Sequence, residues 1–92
     1  MENVSVKLVI HGRVQGVWFR ESTRKQAVEL GVYGWVKNRV DGTVEALIEG
    51  PEDSVKKLID WCHKGPPYAK VDQVDEIWVD WKGELDSFKV VF

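Results

Sequence analysis

Hydrophobic and polar positions alternate at the start of the chain. Val4, Val6, Leu8 and Ile10 fall on one side, Ser5, Lys7, Val9 and His11 on the other. A period of two is the signature of a strand with one buried face. The alternation stops at Gly12-Arg13-Val14-Gln15-Gly16. From Phe19 the spacing lengthens to Phe19, Thr23, Ala27 and Leu30, one side of a helix that Gly31 is suited to end. Tyr33 to Asn38 and Thr43 to Glu49 read as two more strands, the second with Val44, Ala46 and Ile48 on one face. Arg39-Val40-Asp41-Gly42 between them reads as a hairpin turn, because Asp and Gly both tolerate positive φ. Gly50-Pro51 is expected to break the third strand and open a second helix, with Glu52 and Asp53 in its first turn. Val55, Leu58, Ile59 and Cys62 form the core stripe of that helix, and Gly65-Pro66-Pro67 ends it. Val71 to Trp81 reads as a long strand. Its apolar positions mix odd (Val71, Ile77, Val79, Trp81) and even (Val74, Trp78) numbers, so a bulge is expected. Phe88, Val90 and Phe92 alternate in a short final strand.

The order is therefore β-α-β-β-α-β with an extra C-terminal strand. Two right-handed β-α-β crossovers interleaved in this way predict an α+β, ferredoxin-like sandwich, an antiparallel sheet with both helices on one face. The expected strand order is 4-1-3-2, with the first and third strands central. Ninety-two residues suffice for one core, so residues 1–92 are read as a single domain. That architecture hosts many unrelated activities, so function must come from a site.

Composition narrows the field. With 43% hydrophobic and 30% charged residues the chain is of ordinary globular type. A net charge of −2 argues against a nucleic-acid partner held by its phosphate backbone. The single cysteine, Cys62, cannot close an intrachain disulfide, which suits a reducing compartment. Apolar runs such as Leu8-Val9-Ile10 are far short of a membrane span, and the first residues lack the pattern of a signal peptide. A small cytoplasmic protein with no membrane partner is expected.

Most catalytic sets find little support. His11 and His63 lie on different elements with no second ligand at metal spacing, so no metal site is expected. Cys62 falls on a helical core stripe and reads as a buried, inert thiol. Glu45 and Glu49 share a strand face and read as solvated charges, and Trp35, Trp61, Trp78 and Trp81 as packing residues. No Gly-Lys-Ser/Thr follows the glycine loop, which excludes a nucleotide-binding P-loop. The segment Gly12 to Arg20 remains. Joining a strand to a helix, it can turn backbone N–H groups inward at the positive end of that helix, with Arg20 placed to aim its planar fork at an anion. The same residues also describe a tight strand–helix turn with a surface arginine.

Gly12-Arg13-Val14-Gln15-Gly16-Val17-Trp18-Phe19-Arg20, followed by Gly34-Trp35-Val36-Lys37-Asn38-Arg39 and Asp41-Gly42-Thr43-Val44-Glu45, resembles the acylphosphatase family. The similarity runs over essentially the whole chain, including Gly65-Pro66-Pro67. The resemblance implies that Arg13, Val14, Gln15, Gly16, Val17, Trp18, Phe19 and Arg20 form a phosphate-binding loop, that Arg20 binds the substrate phosphate, and that Asn38 positions the attacking water. It further implies hydrolysis of acyl phosphates without metal or cofactor, with inorganic phosphate as product or inhibitor. Trp18 departs from the commonest pattern, in which a smaller residue precedes Phe-Arg; it could narrow the pocket or face outward.

The sparse toolkit suits that chemistry. The leaving carboxylate needs no general acid, and phosphoryl transfer demands mainly positioning and electrostatic stabilisation. A monomer acting on a small-molecule acyl phosphate is expected. The rivals are a non-catalytic module binding an anion in the same loop, and an RNA-binding ferredoxin-like domain using sheet aromatics. The acidic balance counts against the second. Because the third strand separates the first from the second, Arg20 and Asn38 meet only if the loop reaches over a strand end.

Overall fold

In the computed structural model, which describes residues 2–92, seven elements follow in order. They are β1 (Asn3–Arg13), α1 (Phe19–Leu30), β2 (Tyr33–Asn38), β3 (Val44–Pro51), α2 (Glu52–Lys64), β4 (Lys70–Val79) and β5 (Phe88–Val91). They build one five-stranded sheet in the order β4-β1-β3-β2-β5. The first four strands take the expected antiparallel order, and β5 adds to β2 in parallel, which makes the sheet mixed.

The two periodicities explain the core. Val6, Leu8 and Ile10 of β1 and Val44, Ala46 and Ile48 of β3 are wholly buried. They meet Phe19, Thr23 and Ala27 of α1 and Val55, Leu58 and Cys62 of α2 in one apolar cluster. Each large apolar side chain buried there contributes about 1.5–3 kcal/mol. Thr23, a polar member, donates its hydroxyl to the Phe19 carbonyl at 2.7 Å and so satisfies its own burial. Gly31 ends α1 in the left-handed conformation, as its position implied.

Three local expectations are corrected, and the bulge expected in the fourth strand is present. The third strand is not broken at Gly50-Pro51: both residues still pair with β1, opposite Val4 and Asn3, and α2 begins at Glu52. Proline is tolerated because it is the last residue of the strand, where a missing N–H costs no interior ladder bond. The turn after Asn38 does not use positive φ at Asp41; instead the Asp41 side chain accepts from the Thr43 N–H (3.0 Å) and hydroxyl (2.6 Å), an Asx turn. The fourth strand stops at Val79, and Trp81 lies beyond it. Its bulge falls where His11 pairs with Gln73 and Gly12 with Val71, skipping Asp72; that extra residue brings both Val71 and Val74 to the core.

On the sheet face away from the helices, Glu45 and Glu49 are not the solvated charges expected. Glu45 lies between Lys7 (3.4 Å) and Lys37 (3.5 Å). Glu49 is buried and accepts a hydrogen bond from Ser5, opposite it on β1, at 3.3 Å.

Candidate active site

The segment between β1 and α1 is shaped by a few side chains. Arg13 is the last residue of β1, pairs with Lys70 and is exposed. A Cβ on Gly12 would meet the Lys70 carbonyl oxygen at 2.1 Å, so this glycine serves the close approach of β4 rather than an anion. Val14 and Val17 turn into the core and pin the loop from below. Between and after them Gly16 (φ 74°) and Trp18 (φ 66°) take left-handed conformations. For Gly16 this is free; for Trp18 it costs about 1–2 kcal/mol. Left-handed residues alternating with residues of negative φ let successive N–H groups turn toward one concave side.

Those N–H groups have no internal acceptor. Among the described residues, none from Gln15 to Glu21 donates to a carbonyl or a side chain, and the first helical bond runs from Ser22 N–H to the Trp18 carbonyl at 3.0 Å. They crowd the positive end of α1, where an anion is favoured.

Above them lies a cleft of about 440 Å³ lined by Val14, Gly16, Trp18, Phe19, Arg20, Glu21, Asn38, Val90 and Phe92. Arg20 and Asn38 thus meet, although β3 separates their strands. The means is Gln15: its side-chain amide reaches across the end of β3 and donates to the carbonyls of Arg39 (2.7 Å) and Thr43 (2.9 Å). The loop is thereby tied to the residue that follows Asn38.

Arg20 makes no salt bridge among the described residues; its guanidinium carbon stands 4.9 Å from the centre of the Phe92 ring. The neighbouring carboxylate, Glu21, is engaged in a bidentate pair with Arg24 (2.8 and 2.7 Å), and those hydrogen bonds hold its pKa below the ordinary value. The guanidinium is left for an external anion. Asn38 ends β2 opposite Val44, and its side-chain oxygen is buried without a donor among the described residues. Such an acceptor costs about 1–3 kcal/mol.

Of the loop residues expected at the site, Val14, Gly16, Trp18, Phe19 and Arg20 line the cleft, while Arg13, Gln15 and Val17 do not. Trp18 faces largely into solvent at the rim. Val90 and Phe92 were not foreseen; they reach the site because β5 adds beside β2, and no local pattern announces that neighbour. The other candidates stay apart. His11 pairs with Asp75 at 2.8 Å, and Cys62 is buried, which pushes its thiol up to about 12. Among the described residues, no cluster of three or more His, Cys, Asp or Glu able to hold a metal ion occurs and no helix is long and apolar enough to cross a membrane.

The chain has well-matched relatives among known proteins. The Acylphosphatase family model matches residues 6–90. A protein named acylphosphatase from Pelotomaculum thermopropionicum is 49% identical over 92 residues, covering 100% of both chains. Another from Pyrobaculum islandicum is 52% identical, covering 99% of this chain and 97% of its own. The crystal structure of acylphosphatase from Bacillus subtilis superposes with a TM-score of 0.93 at 34% identity, covering 97% of this chain and 99% of that one.

Proposed function

Because this chain belongs to the acylphosphatase family, we propose that Arg20 and the loop amides hold the phosphoryl group of its substrate while Asn38 orients the attacking water. The reaction is hydrolysis of an acyl phosphate to a carboxylate and inorganic phosphate. What carries the assignment is that Arg20, without a carboxylate partner among the described residues, and Asn38, with its orphaned acceptor, line one cleft above donor-rich backbone.

The chemistry follows from those groups. The phosphoryl oxygens accept from the N–H groups of the loop and from the fork of Arg20, whose spacing matches two oxygens of one phosphate. As the bond between phosphorus and the acyl oxygen lengthens, negative charge spreads over the equatorial oxygens, where preorganised donors are worth most. The Asn38 oxygen accepts one proton of a water and fixes its oxygen for in-line attack. The phosphorus–oxygen bond to water forms as that to the acyl oxygen breaks; the carboxylate leaves with the electron pair, and the water's proton passes to a phosphoryl oxygen. No side chain near the cleft need act as a base.

The reading extends to a metal-independent monomer in the cytoplasm whose partners are the small acyl phosphate and inorganic phosphate. An RNA-binding sheet is disfavoured by Glu45, Glu49 and Asp75 on the face it would use. Turnover of acetyl phosphate in excess chelator tests the assignment. Arg20→Lys should lose at least roughly a hundredfold in kcat/KM, since an ammonium lacks the bidentate fork. A folded Arg20→Lys with the parent's rate would refute the role given to Arg20.

A further inference from the structure

At the far end of α1 and β2 from the cleft, a buried acid has no place in the mechanism. Glu49 is only 6% exposed, yet no lysine, arginine or histidine among the described residues pairs with it. Lys7 and Lys37, on the same sheet face, are both held by Glu45. The hydrogen bond it accepts from the Ser5 hydroxyl is long, at 3.3 Å. A carboxylate taken out of water is costly unless it is paired and well hydrogen-bonded. A cation from outside the chain would complete it.

The surroundings fit one kind of cation. Glu49 lines an open pocket of about 340 Å³ with Gly31, Tyr33, Trp81 and Gly83. Tyr33 stands directly opposite it across β2 and β3. Gly83 (φ 67°) lets the chain fold back on the indole: a Cβ there would meet the Trp81 ring at 2.8 Å, so main chain backs that ring. Two half-exposed aromatic rings beside a carboxylate favour an organic cation. Gly31 brings the negative end of α1 to the same pocket, and the last turn of that helix carries Glu29 and no basic residue. On the connection that walls the pocket, Asp80, Glu84 and Asp86 outnumber Lys82. A single carboxylate offers too few oxygens for a hard metal ion, and an acceptor short of donors favours a nitrogen that carries hydrogens. We propose that Glu49, Tyr33 and Trp81 form a binding site for an alkylammonium ion, a primary amine on a slim aliphatic stem, with its head on the carboxylate and its stem along the rings. The length of α1, about 18 Å for 12 residues, parts this pocket from Arg20, so the site stands apart from the phosphoryl assignment.

The test is a titration of the protein with pentylammonium, followed by NMR at the Trp81 indole N–H and the Gly31 amide, with pentan-1-ol as the uncharged control. The amine should bind with a Kd of roughly 1 mM or below, and the alcohol at least roughly tenfold more weakly. Glu49→Gln keeps an acceptor for Ser5; it should weaken the amine at least roughly tenfold and leave acetyl phosphate turnover unchanged. Trp81→Ala, on a connection outside the sheet, should weaken it by roughly threefold. Tighter binding of Nα-acetyl-lysine methylamide than of pentylammonium would assign the head group to a protein lysine, and the reverse order to a free amine; either result supports the site. Equal binding of amine and alcohol, or amine binding unaltered in Glu49→Gln and Trp81→Ala, overturns it. If Glu49→Gln loses turnover and amine binding together, its sheet is distorted, and Trp81→Ala with the alcohol control decides the matter.

Discussion

The side-chain amide of Gln15 donates to the backbone carbonyl of Thr43 at 2.9 Å, across the end of the strand that keeps β1 and β2 apart. The same nitrogen reaches the Arg39 carbonyl at 2.7 Å, next to Asn38. One side chain thus couples the two halves of the site without lining the cleft itself. Small displacements of a positioned group are expensive in rate. Gln15→Ala should therefore lower kcat for acetyl phosphate by roughly tenfold or more, with a smaller change in KM. Unchanged kcat in a folded Gln15→Ala would show that the loop holds its place without the tether.

Asn38 makes a stability–activity conflict measurable. Its buried acceptor is unsatisfied among the described residues, so truncation removes a cost as well as a contact. Asn38→Ala should lose roughly a hundredfold in kcat. It should also hold inorganic phosphate as tightly as the parent, judged by competitive inhibition, and melt at the same temperature or higher. A variant that melts well below the parent would mean that Asn38 is a structural residue of the turn.

Asp41 should make the hairpin beside the site acid-sensitive. The hydroxyl of Thr43, then its backbone N–H, holds the Asp41 carboxylate pKa below its ordinary value. A folded-state pKa depressed in this way contributes stability that is present above the unfolded value, about 4, and lost as pH falls through the folded one. Between about pH 5 and pH 2 the melting temperature of the parent should fall more steeply than that of Asp41→Asn, which keeps an acceptor oxygen but does not titrate there. Parallel melting curves would remove Asp41 from the acid response.

Cys62 should be chemically silent while the protein is folded. Its thiol is fully buried against the core and pushed up to about 12 by desolvation, so almost no thiolate exists near neutrality. A disulfide reagent at pH 8 should label it only after denaturant is added. Labelling of the native protein at the denatured rate would show that α2 opens readily from the sheet.

The element order was legible because burial has a short-range signature. In β1 a rise of one residue reverses the face, so Val6, Leu8 and Ile10 mark the core by alternation alone; in α2 the stripe of Val55, Leu58, Ile59 and Cys62 does the same at helical spacing. Where two local signals compete, the window is too narrow. Gly50-Pro51 reads as a break, yet pairing with β1 carries the strand through it. Glu49 reads as a solvated acid, yet it is buried beside Ser5.

The site divides along the same line. Residue types and spacing sufficed to single out the loop from Gly12 to Arg20, to set Asn38 at a strand end and to mark the family resemblance. Only the folded chain decided that Arg20 and Asn38 share a cleft, that Gln15 spans β3 to hold them there, and that β5 brings Val90 and Phe92 to the rim. The physical reason is range: periodicity and turn chemistry act over a few residues, whereas these meetings depend on which strands lie side by side and on side chains reaching across them.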